Sequence, residues 1–364
     1  MIIGVDGNEA NVDRRVGVSV YALNLLKYFK KKASREIQFR VYLRYPPKDL
    51  PEETPYFKYE VVPGRFLWSQ IFLPLRLFKQ KNIDVFFSPA HYLPRFSPVP
   101  TVVTIHDLSY LYFPGDFLKK DLFQLKNWTD YSLKKAKKII AVSKTTKKDI
   151  VKSYGTDDGK IEVVYNGYEK NIKYQIPNIK YEHTEHPYIL YVGTLQPRKN
   201  ISGLIKAFDK FKKLHPEFKL KIAGKKGWLY DEIFDQVTEL GLEDDVYFAD
   251  FVTDNQLMFL YKNAFCFVMP SFYEGFGIPI LEAMSFECPV IASFSSSLPE
   301  IGADAALYFD PNNSYDLVEK IKLLKDDPAM RLDLIVKGKK RIKEFSWEKC
   351  AQQTLEVIKE AASK

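Results

Sequence analysis

PSFYEGFGIPILEAM (270–284) follows directly on the apolar run FCFVMP (265–270). The run reads as a buried strand, the glycines after it as a turn, and Pro279 suits the first turn of a helix. A strand entering a helix through a glycine turn leaves the amides around Gly277 and Ile278 at a helix N-terminus. At the carboxyl end of a parallel strand that geometry binds phosphate. Glu274 lies in the loop and Glu282 about one turn into the helix. A carboxylate beside a diphosphate is repelled, so both fit better as acceptors for sugar hydroxyls. Turn capping and a favourable helix dipole are the competing structural roles.

On both sides of this stretch, short β-branched or aromatic runs alternate with longer amphipathic segments. IIGVD, QFRVYLR, DVFFSP, TVVTIHD, KIIAVS and IEVVYN read as strands in the first half. YILYVGT, KLKIAG, VYFADF, AFCFVMPS and PVIAS read as strands in the second. Helices are expected from about Gly17 to Lys32, over about 201–214, and over about 346–361. Strands alternating with helices imply parallel sheets covered on both faces. The predicted fold is α/β, two Rossmann-like domains facing a central cleft. The expected boundaries are 1–170, a polar linker 171–187, a second domain 188–345, and a last segment 346–364 crossing back to the first domain.

A chain of 364 residues, 46% hydrophobic and 27% charged, fits two globular domains and excludes disordered and collagen-like classes. No apolar run reaches the roughly 18–20 residues of a membrane span. The start, MIIGVDGNEA, lacks the basic end and long apolar stretch of a signal peptide. Three cysteines without CxxC pairing indicate neither a disulfide framework nor a zinc ribbon. A reduced cytoplasmic protein is expected. The net charge is +8, and residues 1–170 hold 29 Lys and Arg against 18 Asp and Glu, so the excess lies in the first half. That half is the one to meet an anionic partner. Nucleic acid is not expected, since no zinc-finger spacing, basic zipper or RNA-binding aromatic motif is present.

The 270–284 stretch resembles the E-x7-E signature of retaining glycosyltransferases of family 4, which have the GT-B fold. YVGTLQPRKN (191–200), AVSKTTKKDI (141–150), VVYNGY (163–168), SSSLPEIGADAALYFDP (295–311) and GVSVYALNLL (17–26) resemble further family segments in the same order. The resemblance implies that Glu274 contacts the donor sugar, assisted by amides around Phe276 and Gly277, and that Glu282 binds the ribose. It implies that Arg198 and Lys199 hold the diphosphate, that Gly17 lets backbone approach the phosphates, and that Phe251 and Val252 sit by the nucleobase. Ser19 stands where the family often has a second glycine.

His106 and Asp107 end the strand TVVTIHD, where an imidazole would meet a sugar hydroxyl or developing charge. A lone histidine is more often structural, but IHDLSYLYFP resembles the HDL…FP segment of family-4 mannosyltransferases. Ser143 and Asn166 suit substrate contacts or turn roles equally. RFLWSQIFLPLRLFK (65–79) and KNWTDYSLKKAKKII (126–140) read first as a core helix and a solvated face. Together they would also suit an anionic membrane surface. The expected reaction is transfer of a hexose, with retention, from a nucleotide sugar to a glycan or lipid-linked acceptor. GDP-mannose is the expected donor, with a UDP- or dTDP-hexose as the rival and a non-catalytic nucleotide- or polyanion-binding protein as the alternative of another class. No cofactor or metal is expected: the chain has no Asp-x-Asp pair, and Arg198 and Lys199 precede a helix that Asn200 is placed to cap.

Overall fold

The computed structural model describes residues 1–80, 82–168, 186–227, 230–250 and 252–363. Residues 171–185 of the expected linker, and Phe251, lie outside them. The chain divides into two compact units, Met1–Gly167 with Phe345–Lys364, and Tyr168–Glu344.

The first unit is built on seven strands: β1 (Ile2–Asp6), β2 (Gln38–Leu43), β3 (Phe57–Val61), β4 (Val85–Ser88), β5 (Thr101–Ile105), β6 (Lys138–Ala141) and β7 (Ile161–Val163). All pair in parallel, in the order β3-β2-β1-β4-β5-β6-β7. The second unit has β8 (Tyr188–Val192), β9 (Lys219–Ala223), β10 (Val246–Phe248), β11 (Cys266–Met269), β12 (Val290–Ser293) and β13 (Ala306–Phe309). These are also parallel, in the order β10-β9-β8-β11-β12-β13. The architecture is α/β, two Rossmann-like domains of the GT-B class.

The central strands β4, β5, β11 and β12 are buried at every position, which is why they read as unbroken apolar runs rather than alternating ones. In each sheet the first strand lies between the second and the fourth, so the chain reverses direction across the sheet there: at β1/β4 in one unit and β8/β11 in the other. Crevices form outside the carboxyl ends of strands at such reversal points. Connections leaving β1, β4, β8 and β11 therefore hold the positions best placed to meet ligands.

Helix Trp347–Ala362 belongs to the first unit and begins at Ser346, whose Oγ accepts the Lys349 amide at 3.1 Å. It packs against helix Val18–Lys32 and buries Cys350, Ala351, Leu355, Ile358 and Ala361 in the same core as Ile3 and Val5. Among the described residues no helix is long and apolar enough to cross a membrane. The three cysteines are buried and free.

Candidate functional site

In the second unit, the connections leaving β8 and β11 meet at Glu274. Lys199 Nζ donates to Glu274 Oε1 at 2.5 Å, and Ser271 Oγ donates to the same oxygen at 2.7 Å. Arg198 Nη1 lies 3.7 Å from Oε2, an electrostatic separation, and donates to the Tyr273 carbonyl at 3.2 Å. The Arg198 and Lys199 side chains are only 15% and 14% exposed, which rules out a solvated turn. The Glu274 amide donates to Ser296 Oγ at 2.8 Å, and Ser297 Oγ donates to the carbonyls of Glu274 and Phe276, both at 2.9 Å. The segment after β12 thus fixes the loop that carries the carboxylate.

Burial by itself pushes the Glu274 carboxyl up, but the Lys199 and Arg198 charges and the hydrogen bonds from Lys199 and Ser271 outweigh it. Its pKa falls below the ordinary glutamate value, so it is ionised at neutral pH. One carboxylate against two cations leaves a net positive charge, suited to an anionic ligand.

Asn200 departs from expectation. Helix Ile201–Lys212 starts without a side-chain cap. Asn200 Nδ2 instead donates to the carbonyls of Pro270 (3.1 Å) and Pro311 (2.8 Å), and its backbone is left-handed at φ 54°. These donations tie the ends of β11 and β13 to the Arg-Lys turn, and no bond to the Asn200 Oδ1 caps the helix.

Gly277 precedes helix Ile278–Ser285 at φ 107°, and a Cβ there would lie 2.9 Å from Leu298 Cδ2. The left-handed backbone favours glycine there, and Leu298 would have to shift to admit a larger residue. Pro279 has no N–H, and the Ile280 amide bonds the Gly277 carbonyl at 3.0 Å. The Ile278 amide has no acceptor within its own helix. Glu282 lies one turn on, half-buried, and accepts from the Tyr261 hydroxyl at 3.0 Å. Burial raises its carboxyl above the ordinary value, and the Tyr261 hydrogen bond offsets only part of the rise. The two glutamates are therefore tuned in opposite directions. Val252 is half-buried after β10, two strands from the β8/β11 reversal, and Phe251 lies outside the described residues.

The first unit brings different chemistry to its equivalent edge. Gly17 starts helix Val18–Lys32 at φ 50°, with nothing within 4 Å of a Cβ. His106 follows β5 and its Nε2 lies 2.7 Å from the Pro89 carbonyl, which follows β4. A carbonyl only accepts, so Nε2 carries the proton. Burial and the neighbouring His91 pull the His106 pKa down to about 4, leaving a neutral ring at pH 7 whose Nδ1 is an acceptor. It offers a hydroxyl a lone pair; it is not the cation that a developing negative charge would need. The ring stands edge-on to Tyr21 at 4.8 Å and lies 5.9 Å from His91.

Asp107 Oδ1 accepts the Ser109 amide at 2.9 Å and the Ser109 hydroxyl at 2.8 Å, a local turn. Ser143 is fully buried and its Oγ accepts the Thr146 amide at 3.0 Å, capping helix Lys144–Tyr154. Of its two expected roles the structural one is seen. Asn166 is buried and its Oδ1 has no hydrogen-bond partner.

Sequence reasoning passed over His91 and Asp6. His91 Nδ1 is buried without a partner. Asp6 ends β1, accepts from the Asn8 amide (3.1 Å) and Nδ2 (2.8 Å), and is pushed up to about 6 by burial. Position at the end of β1 and in the connection leaving β4 was the available signal. Among the described residues no group of three or more His, Cys, Asp or Glu is arranged to hold a metal ion.

Residues 16–171 match the family described as Glycosyltransferase Family 4, and residues 173–341 match Glycosyl transferases group 1. The O-antigen chain mannosyltransferase B of Escherichia coli is 33% identical over 76% of this chain and 74% of its own. This chain is a family 4 glycosyltransferase. A second relative of the glycosyltransferase, O-antigen chain mannosyltransferase RfbU of Salmonella typhimurium, is 34% identical over 62% of this chain and 61% of its own. The crystal structure of Anabaena HepE in complex with UDP and glucose shares the fold, with a TM-score of 0.74 at 19% identity over 98% of this chain and 99% of that one. The glycosyltransferase signature Glu274–Glu282 therefore spans the loop and helix whose two carboxylates are tuned apart.

Proposed function

We propose that this glycosyltransferase moves mannose from GDP-mannose to a hydroxyl of a glycan or lipid-linked acceptor, with retention of configuration and without a metal ion. The observation that carries the reading is Glu274, held ionised between Lys199 and Arg198 at the β8/β11 reversal. The carboxylate accepts from donor-sugar hydroxyls. Lys199, Arg198 and the Ile278 amide face the diphosphate. Glu282 accepts from the ribose.

As the bond from the anomeric carbon to the diphosphate oxygen breaks, negative charge grows on that oxygen and the two cations stabilise it. The acceptor hydroxyl oxygen bonds the same face of the carbon, and its proton passes to the departing phosphate oxygen. The products are the glycoside and GDP. Mannose is favoured by the names of the two relatives and by the HDL…FP segment after β5.

Thermal shift with GDP, UDP and dTDP tests the donor: a ligand at 100 times its Kd adds about 2.7 kcal/mol. The largest shift is expected with GDP, and radiolabelled mannose should be transferred in the presence of EDTA. A shift confined to UDP or dTDP would replace the donor. Loss of transfer in EDTA, restored by Mg²⁺ or Mn²⁺, would replace the metal-free mechanism.

A further inference from the structure

The segment 65–79 reads in sequence as a core helix, and it is only half of one. A wide turn, Trp68–Phe72, runs into helix Leu73–Gln80. Trp68, Leu73, Pro74 and Leu77 face inward. The helix is pinned in place: Trp68 Nε1 donates to the Val62 carbonyl at 2.7 Å, Arg76 pairs with Glu60, and the Tyr42 hydroxyl donates to Gln80 at 3.1 Å.

The outward side is apolar as well. Ile71, Leu75 and Phe78 recur at i, i+4 and i+7, one helical face, and are 45%, 64% and 44% exposed. Phe66 (84%) and Leu67 (49%) extend the face at one end. Phe96 (71%) adjoins it, because its neighbour Arg95 donates to Gln70 Oε1 at 3.1 Å. A surface helix of a soluble domain carries polar residues on that side. An exposed apolar face of this extent on a surface helix marks an interaction surface.

The surrounding charge says what covers it. From Pro63 to Ile83 the sequence has no acidic residue, and Arg65 and Lys79, both exposed, make no ion pair among the described residues. Arg95 lies against the Tyr131 ring. Exposed apolar side chains ringed by cations, with no counter-charge of their own, complement a bilayer surface with anionic headgroups.

The Lys-rich segment 126–140 is different. Lys134 pairs with Asp130 at 2.7 Å, Lys138 with Glu360 at 2.8 Å, and Lys137 donates to the Ser363 carbonyl at 2.7 Å. Three of its five lysines are thus engaged inside the unit, and it presents no exposed apolar face like that of Ile71, Leu75 and Phe78.

We infer that the Phe66–Lys79 face of the first unit seats the enzyme on an anionic lipid bilayer, with Leu75 and Phe78 entering the headgroup boundary and Arg65 and Lys79 holding lipid phosphates. The inference stands on exposure and charge, so it holds or fails independently of the donor and of the transfer reaction.

Sedimentation of the full chain with vesicles tests it, using phosphatidylcholine with and without about 30% phosphatidylglycerol. Binding is expected to the anionic vesicles at low salt and to weaken as salt rises. Leu75→Glu with Phe78→Glu should lower the partition coefficient about tenfold or more. Arg65→Ala and Lys79→Ala should each lower it about fivefold on anionic vesicles and leave phosphatidylcholine binding unchanged. Because these positions are exposed, unfolding midpoints should match wild type, which separates lost binding from lost fold. No sedimentation at low salt, or unchanged sedimentation of the Leu75/Phe78 variant, overturns the proposal. A lipid-free dimer that the Leu75/Phe78 variant dissolves overturns it too, in favour of a second copy on this face.

Discussion

The two units share a strand plan, parallel sheets whose order reverses beside the first strand, yet they dress equivalent edges with opposite chemistry. The second unit sets full charges there: Glu274 ionised by Lys199 and Arg198, with serines locking the loop. The first unit sets uncharged acceptors there: His106 is deprived of its charge, and polar atoms of His91 and Asn166 have no partners, while Asp6, raised to about 6, is the carboxylate beside them. Fixed ions suit a diphosphate whose charge is always present. Neutral acceptors suit hydroxyls, which arrive uncharged and leave a proton behind. The strand plan sets where a ligand lies, and the residues after each strand set which ligand it is.

The largest effect is expected at the charged edge. Lys199→Ala should cut turnover about 100-fold or more, because it removes a cation that the proposed reaction sets against the leaving group. Steady-state kinetics with saturating donor would read it. A loss no larger than that of a neutral-edge variant would break the division between the units.

A smaller effect is expected at the neutral edge. His106→Ala should lower transfer about tenfold, the value of one hydrogen bond, while calorimetric affinity for the bare nucleoside diphosphate stays within about twofold. Collapse of that affinity would move His106 to the diphosphate and erase the contrast.

The smallest effect sharpens the comparison through pH. His106 drops from 6.5 to about 4 on folding, so between those values the unfolded chain binds more protons and stability falls on acidification. Asp6 rises from 3.8 to about 6, so over that window it has the opposite slope. The two nearly cancel between pH 4 and 6. His106→Asn should expose the Asp6 slope, gaining stability relative to wild type by up to about 1.4 kcal/mol per pH unit on acidification from 6 to 4. Denaturant unfolding across that range measures it, and parallel curves for variant and wild type would contradict the neutral-imidazole assignment.

What the sequence disclosed follows from burial. Central strands such as TVVTI and CFVM, covered on both faces, read as apolar runs and were legible. The edge strands β3 and β13 were not: FKYEV buries only Phe57, and ALYF is four residues with a half-exposed middle. The glycine turn and the positions of Glu274, Arg198 and Lys199 were readable because turn residues and strand ends are local. Their mutual contact, 75 residues apart in sequence, was not. Asn200 shows the limit, since a capping residue by type was diverted by two distant carbonyls. His91 was silent because an unpartnered nitrogen is a property of surroundings.

Helix Trp347–Ala362 completes the core begun by Ile3 and Val5, although all of Tyr168–Glu344 lies between them in the chain. On the ribosome, at about 5–20 residues per second, the first unit waits on the order of ten seconds or more for that helix. Through that interval the groove later filled by Cys350, Leu355 and Ile358 stays open, while the second unit, contiguous in the chain, is free to fold as soon as it emerges. Birth order and folding order are thus reversed: the domain made first is the one finished last.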